Sequence, residues 1–455
     1  MEHFDVFVIG GGGTGSEVAF SLAGAEAGLR VGIAERDKLG GECNHYGCVP
    51  TKTMLASAKV AASARDADRY GVRVGSVEVD FAAVMRRVRE VIDSQSGEGT
   101  KPFEQQGIRV FLQEARLVGE HRVELADGTE IEADQIVLAT GTEAAVPPID
   151  GLRDGPFWTN KEAIWSPKEV PRSLLVIGSG PIGLEFAQIY ARFDSDVTVV
   201  ELSDRILPGE DRDSSHAICE ALEAEGIRLL DDTTSCQATN GPDGWQLDFE
   251  DDQHAHGEQL LVAIGRRPVF EVHDLAAAGV ELNDRGFPQL DDHLRTTADG
   301  IWAAGDATGE LLFTHVGTYE AELVVDDILG RPRARDYRVV PRVTFTEPEV
   351  GSVGLTEEQA GEDAVTSLVR FDDNERAHLE GKTFGIVKLV ADGRTGEVVG
   401  GHVVGEGAGE MIHQIATAMA GRIPPRLVAD TIYAYPTLSE SLKSAFGELA
   451  ERLDG

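Results

Sequence analysis

The stretch Phe4–Asp37 reads FDVFVIGGGGTGSEVAFSLAGAEAGLRVGIAERD, and its reading decides the architecture. The apolar run Phe4–Ile9 predicts a short strand. Gly10, Gly12 and Gly15 follow in G-x-G-x-x-G spacing, and a helical pattern follows them. A second apolar run, Arg30–Ala34, ends at the acid Glu35. The physics asks for each part. The first glycine makes the tight turn, the second lets backbone approach a pyrophosphate, and the third lets helix and strand pack closely. The helix N-terminus favours phosphate charge, and the terminal acid can accept hydrogen bonds from ribose hydroxyls. Strand, glycine turn, helix, strand and acid in this order predict a βαβ unit that binds a nucleotide.

The unit recurs in RSLLVIGSGPIGLEFAQIYARFDSDVTVVELSD. Gly178, Gly180 and Gly183 follow the strand Ser173–Ile177, and the next strand, Asp196–Val200, ends at Glu201. Two fingerprints in one chain predict two dinucleotides, most simply FAD and a nicotinamide cofactor. Glu201 would repel a 2′-phosphate, and no arginine immediately follows it, which favours NADH over NADPH. Three shorter strand-to-glycine turns accompany these units. ADQIVLATGT runs into Thr140 and Gly141, EQLLVAIGRRPV reaches Gly265, and DGIWAAGDAT ends at Gly305-Asp306. VPPIDG reads as a linker near residue 146, and the Arg- and Pro-rich GRPRARDYRVVP marks a boundary near residue 335. The remaining tail alternates short strands with helices.

The chain has 455 residues, long enough for roughly three domains. Its formal charge is −38, from 41 basic and 79 acidic side chains. Such a chain repels nucleic acid and anionic membrane, so neither is an expected partner. The acids are spread along the sequence, as an acidic surface or an adaptation to high salt would have them. No apolar run is long enough to span a bilayer, and the N-terminus lacks a basic leader. With four cysteines the chain is no disulfide scaffold, and a reducing cytoplasm is the expected location. Cys219 and Cys236 stand alone and read as small core residues.

Cys43 and Cys48 stand close together in GGECNHYGCVPTK, residues 40–52. Three readings apply: a metal site using Cys43, His45 and Cys48, two inert thiols, or a redox disulfide. A structural zinc usually takes four ligands, commonly from paired motifs, so no metal is expected. In a regular helix these two cysteines would be too far apart to bridge, so a disulfide needs a distorted turn there.

The motif resembles GGxCxxxGCxPxK of the class I pyridine nucleotide-disulfide oxidoreductases, the family of dihydrolipoamide dehydrogenase, glutathione reductase and mercuric reductase. GSGPIGLE, ATGT and AAGDAT occur in that family's order, and the resemblance covers essentially the full length. It implies an α/β fold with two Rossmann-like dinucleotide-binding domains plus a C-terminal α+β dimerisation domain. The implied boundaries are 1–145 and 266–335 for the FAD domain, 146–265 for the NAD(P)H domain, and 336–455 for the interface domain. It also implies a homodimer with shared active sites.

The roles it implies fall on named residues. Gly10, Gly12, Gly15, Glu35, Gly41, Thr140, Gly141 and Asp306 match the FAD site. Gly178, Gly180, Gly183, Glu201 and Gly265 match the NAD site. Lys52 matches the lysine near flavin N5, and Glu185 the glutamate that pairs with it. Cys48 matches the flavin-side cysteine, and Cys43 the interchange thiol that meets a small-molecule acceptor.

Two departures stand out. Glu42 replaces a common threonine near the FAD phosphates. In TIYAYPTLSESLK, Tyr435 stands where the disulfide-using branch has a histidine, and Glu440 follows at that branch's spacing. A phenol is a poor base at neutral pH, where an imidazole is a good one. Tyrosine here is similar to mercuric reductases and soluble transhydrogenases, although the mercuric enzyme's C-terminal cysteine pair is missing. The expected activity is an NADH-dependent FAD reductase that passes electrons through Cys43–Cys48 to a disulfide, metal-ion or quinone-type acceptor. The alternatives are a true dihydrolipoamide dehydrogenase and a flavin-bound redox sensor without turnover.

Overall fold

The computed structural model describes residues 1–95, 99–250, 253–270 and 272–455. The chain forms two compact units. The first comprises Met1–Thr53, Met85–Ala145 and Arg266–Asp336. Its centre is a seven-stranded sheet. Glu2–Ile9 lies between Val31–Ala34 and Glu130–Leu138 and pairs with both in parallel. The glycine turn and the helix Gly13–Gly24 supply the crossover. A parallel sheet must be covered on both faces, and the sequence provides for that. Val6 and Val8 pack in one core with Val18, Leu22 and Ile33. Phe7 and Ile9 pack in another with Ile136 and Leu138.

The outer edge of Glu130–Leu138 has two successive partners. Arg122–Leu125 pairs antiparallel with its first residues. Ile301–Ala303 then pairs parallel with Ile136–Leu138. Ile9, Leu138 and Ala303 therefore end on the same side of the sheet, where Gly10, Thr140 and Asp306 follow.

The second unit comprises Met54–Val84, Val146–Gly265 and Tyr337–Gly455. It repeats the nucleotide fold on a smaller scale, with Ser173–Ile177 parallel to both Asp196–Val200 and Gln259–Val262. It also holds a five-stranded antiparallel sheet ordered Pro341–Thr344, Glu349–Gly354, Val398–Gly405, Ile386–Asp392, Ala364–Arg370. The helices Ala408–Ala420 and Ser439–Asp454 cover that sheet through Met411, Ile412, Ile415, Leu442, Phe446 and Leu449, all in one buried cluster.

Cys219 and Cys236 depart from the core reading. Cys219 is half-buried and Cys236 is exposed. A register shift between Ser235 and Gln237 interrupts the alternation of faces at Cys236, whose Sγ lies 3.3 Å from the Asp248 carbonyl. Among the described residues, no helix is long and apolar enough to cross a membrane.

The charge carries a prediction. Arg192 is almost buried and pairs with Glu225 and Glu347 at 2.7 Å each, and salt weakens such covered pairs little. The uncompensated acids repel one another over distances that lengthen to about 30 Å at 0.01 M salt. The thermal midpoint should therefore rise from low to molar salt. A flat or falling midpoint would show that self-repulsion does not limit stability.

Candidate active site

The glycine turn and the cysteine motif meet in the first unit. Gly10 has φ +108°, and a Cβ there would lie 2.2 Å from the Ala139 carbonyl oxygen. A Cβ at Gly15 would lie 1.9 Å from the Gly10 carbonyl oxygen. Both positions therefore require glycine. Gly40 donates its N–H to the Gly11 carbonyl at 2.8 Å, which seats the cysteine motif on the turn. A Cβ at Gly41 would come 2.8 Å from Gly12 Cα, whereas one at Gly12 would meet no atom closer than 4.0 Å. The missing side chains leave a cradle at the N-terminus of Gly13–Gly24, a helix with no side-chain cap. At the end of the neighbouring strand, the Thr140 hydroxyl is buried with no partner. This arrangement can hold the pyrophosphate of FAD, by backbone N–H groups and the positive helix end.

The second fingerprint has the same construction. Gly178 has φ +99°, with a hypothetical Cβ 2.5 Å from the Ala263 carbonyl oxygen, and one at Gly183 would lie 2.1 Å from that of Gly178. The terminal acids also correspond. Glu35 accepts from the Gly11 and Asp37 N–H groups at 2.7 Å each. Glu201 accepts from the Ser179 N–H at 2.9 Å, the Ser179 hydroxyl at 2.7 Å and the Ser203 N–H at 2.8 Å. Glu201 is only 8% exposed, so it is no solvated strand end. Burial pushes its carboxyl up, but the bonds from Ser203 and Ser179 outweigh burial and hold it below the ordinary range. A fixed negative charge thus closes this nucleotide loop. Gly265, with φ +118°, ends the neighbouring strand's turn.

Glu42 has a partner that the sequence reading did not find. The Arg266 guanidinium lies 3.4 Å from the Glu42 carboxylate and 3.6 Å from that of Asp306. It donates to the Thr142 hydroxyl at 2.7 Å and to the Thr142 carbonyl at 2.8 Å, and that hydroxyl donates to Asp306 at 2.8 Å. Burial pushes the Asp306 carboxyl up, and Thr142 and Arg266 oppose it. One arginine therefore offsets two carboxylates, which explains why an anion is tolerated at Glu42. Arg266 directly follows Gly265 in the quoted AIGRRPV, and nothing local in the sequence points it to Glu42. Glu320 was also missed: it is fully buried and accepts from the Gly305 N–H at 2.6 Å, next to Asp306.

Cys43 lies in the short helix Gly41–His45, and Cys48 begins the helix Cys48–Arg65. Tyr46, at φ −138° and ψ 0°, separates the two helices, so the chain has the distorted turn that a bridge needs. Both cysteines stand as thiols. The hydrogen bond with Cys48 pushes the Cys43 thiol far up, burial adds to this, and the Lys52 ammonium partly opposes it. A proton on Cys43 is thereby favoured. The N-terminus of Cys48–Arg65 favours an anion there, and Lys52 lies one turn along. The Thr314 hydroxyl is 3.6 Å from Cys48 Sγ. His45 is buried and bonded to the Leu39 carbonyl.

Glu185, Tyr435 and Glu440 lie in the second unit. Glu185 is buried, and its carboxylate accepts from the Phe345 N–H at 3.1 Å. Tyr435 is 72% exposed and precedes Pro436. Glu440, in the first turn of Ser439–Asp454, accepts from the Thr437 N–H at 3.0 Å.

Two nucleotide loops and a cysteine pair seated on one of them define a flavoprotein disulfide reductase. Residues 4–321 match the pyridine nucleotide-disulphide oxidoreductase family, and residues 340–446 match its dimerisation domain. The chain belongs to this family, and it is an FAD-dependent oxidoreductase that takes electrons from NAD(P)H. It is 36% identical to dihydrolipoyl dehydrogenase of Chlorobaculum parvum, over 97% of this chain and 96% of that one. It is 34% identical to mercuric reductase of Bacillus cereus, over 97% of this chain and 71% of that one. The Cu(II) complex of the HOCl-induced flavoprotein disulfide reductase RclA from Escherichia coli superposes with a TM-score of 0.88 at 30% identity, covering 98% of this chain and all of that one.

Proposed function

We propose that this chain is an NADH-dependent disulfide-type reductase that works through a Cys43–Cys48 bridge toward a small-molecule acceptor. The observation that carries this reading is the seating of the cysteine motif on the Gly10–Gly15 turn through Gly40 and Gly41. Gly10, Gly12, Gly15, Glu35, Gly41, Thr140, Gly141 and Asp306 hold FAD. Gly178, Gly180, Gly183, Glu201 and Gly265 hold the nicotinamide nucleotide. Bound FAD supplies hydride acceptance and two-electron transfer between the nicotinamide and the disulfide.

The chain's own groups manage charge and protons. Two electrons and two protons convert the Cys43–Cys48 disulfide into two thiols. The helix end and Lys52 stabilise the charge on Cys48, and Glu185 is assigned with Lys52 to the nicotinamide side. Cys43, once deprotonated, attacks one sulfur of a disulfide acceptor and releases the other as a thiolate that takes a proton. Cys48 then attacks Cys43 in the mixed disulfide, which re-forms the bridge and releases the second thiol.

The division into FAD residues 1–145 and 266–335, NAD(P)H residues 146–265 and interface residues 336–455 belongs to this reading. So does a homodimer in the cytoplasm, with Tyr435 and Glu440 contributing to the partner's active site. Ile432, Tyr435 and Leu427 are 94%, 72% and 60% exposed, and large apolar groups left exposed favour a partner surface. A second reading, dihydrolipoamide dehydrogenase, is favoured by the Chlorobaculum relative's identity and opposed by Tyr435.

The buried charge of Glu201 predicts the nucleotide preference. A 2′-phosphate brought against it meets like-charge repulsion, so kcat/KM for NADH should exceed that for NADPH by about tenfold or more. Steady-state kinetics with both nucleotides decide it, and a larger value with NADPH would refute the assignment.

A further inference from the structure

The helix Pro181–Arg192 follows the second glycine turn and carries Glu185, Gln188 and Arg192. Spacings of three and four residues put these side chains in one row on the helix surface. All three are buried, Gln188 completely. The row meets one short segment, Phe345–Glu347, in the turn that joins the antiparallel strands Pro341–Thr344 and Glu349–Gly354.

Each member of the row holds the turn in its own way. The Glu185 carboxylate accepts from the Phe345 N–H at 3.1 Å. Gln188 Oε1 accepts from the Glu347 N–H at 2.8 Å, and its Nε2 donates to the Glu347 carbonyl at 2.7 Å. One side-chain amide thus answers both main-chain groups of one residue, as a paired strand would. Arg192 donates to the Glu347 carboxylate at 2.7 Å. Glu225 backs the clamp from behind: it accepts from Gln188 Nε2 at 2.9 Å and from Arg192 at 2.8 and 2.7 Å.

A buried amide with three short bonds has little freedom, because leaving any partner unpaired is costly. The turn is therefore fixed to the helix at Glu347, two residues beyond the N–H that meets Glu185. Release of Glu347 would carry the Phe345 N–H off the carboxylate, and a displacement of about 1 Å can slow a reaction about 10²-fold. We infer that Gln188, backed by Arg192, is a positioning residue for electron transfer from NADH: it fixes the turn whose Phe345 N–H orients the Glu185 carboxylate. This inference rests on the role proposed above for Glu185.

The test uses the FAD-loaded protein and Gln188→Met, which is similar in volume and lacks the amide. Amide hydrogen exchange, read on peptides that span Phe345–Glu347, should quicken about tenfold or more in the variant. In anaerobic stopped flow with NADH, the limiting rate of flavin reduction should fall about tenfold or more, while the NADH concentration that gives half that rate stays within about twofold. Glu185→Gln should itself slow this step, and in that background Gln188→Met should change the rate by less than about twofold, because the two residues act as one unit. Arg192→Lys keeps a charge beside Glu347 without the fork onto Glu225, so it should show the same pattern at about threefold, and it decides the matter if Gln188→Met does not fold. Unchanged exchange, an unchanged limiting rate, or an equal loss in the Glu185→Gln background would overturn the positioning role. A Glu185→Gln protein that reduces flavin at the unaltered rate would overturn the proposed role of Glu185, and the positioning role with it. The two failures are thus distinguishable.

Discussion

Replacement of Cys48 by serine is expected to lower NADH-dependent reduction of a disulfide acceptor by about 10³-fold or more, the scale seen when an essential nucleophile is removed. The reason lies in where the structure places the two thiols. Cys48 opens an 18-residue helix, whose N-terminal end favours a thiolate, with Lys52 one turn on. Cys43 is half-buried and bonded to Cys48, so its proton is held well above the ordinary thiol range. Cys43→Ser should stop disulfide turnover as completely, because the exchange thiol is gone. The two variants differ spectroscopically. Cys43→Ser keeps a thiolate at the head of the helix and should keep the long-wavelength absorption of a thiolate lying against bound flavin. Cys48→Ser should lose it. The same absorption in Cys48→Ser as in the unchanged protein would reverse the two assignments.

Tyr435→His is expected to raise dihydrolipoamide oxidation by up to about 10²–10⁴-fold, the worth of a positioned base. The raised proton affinity of Cys43 makes a base necessary: a dithiol can meet the Cys43–Cys48 bridge productively only if protons are removed as sulfur–sulfur bonds exchange. A tyrosine hydroxyl, protonated at neutral pH, does not do this. It can still donate a proton or hold an acceptor. Glu440 is fixed beside this turn by the Thr437 N–H and keeps its spacing to position 435, so an introduced imidazole has an acid to orient it. The NADH half-reaction should be nearly unchanged in the variant, since Tyr435 has no part in it. Stopped-flow measurement of both half-reactions separates the effects. If the unaltered protein already oxidises dihydrolipoamide at hundreds per second, about the upper range of ordinary turnover, the reading of Tyr435 fails and the dehydrogenase reading takes its place.

Much of the fold was legible because its signals are local. Ser173–Ile177 and Asp196–Val200 were read to the residue, since a buried parallel strand is a bare apolar run between a turn and an acid. Gly10, Gly15, Gly178 and Gly183 were legible for a steric reason, because each lies where a Cβ would strike a carbonyl. The role of Arg266 was not. It is 224 residues from Glu42, and the pairing depends on Arg266–Pro268 lying antiparallel to Thr142–Ala144. Glu320 was hidden in the same way, as a carboxylate on a helix that reads as surface until its partner, the Gly305 N–H, is placed. Cys236 was misread because a register shift in a strand leaves no mark in composition.

The central claim is that Cys43 and Cys48 form one redox couple that NADH reduces through bound FAD. Acid-quenched alkylation under denaturing conditions, read by peptide mass, tests it directly. In the air-oxidised FAD-loaded protein, Cys43 and Cys48 should both resist labelling, while Cys219 and Cys236 label fully. After anaerobic addition of NADH, Cys43 and Cys48 should label together and the other two should not change. Labelling of Cys43 and Cys48 before NADH is added, or continued protection of both after it, would contradict the account.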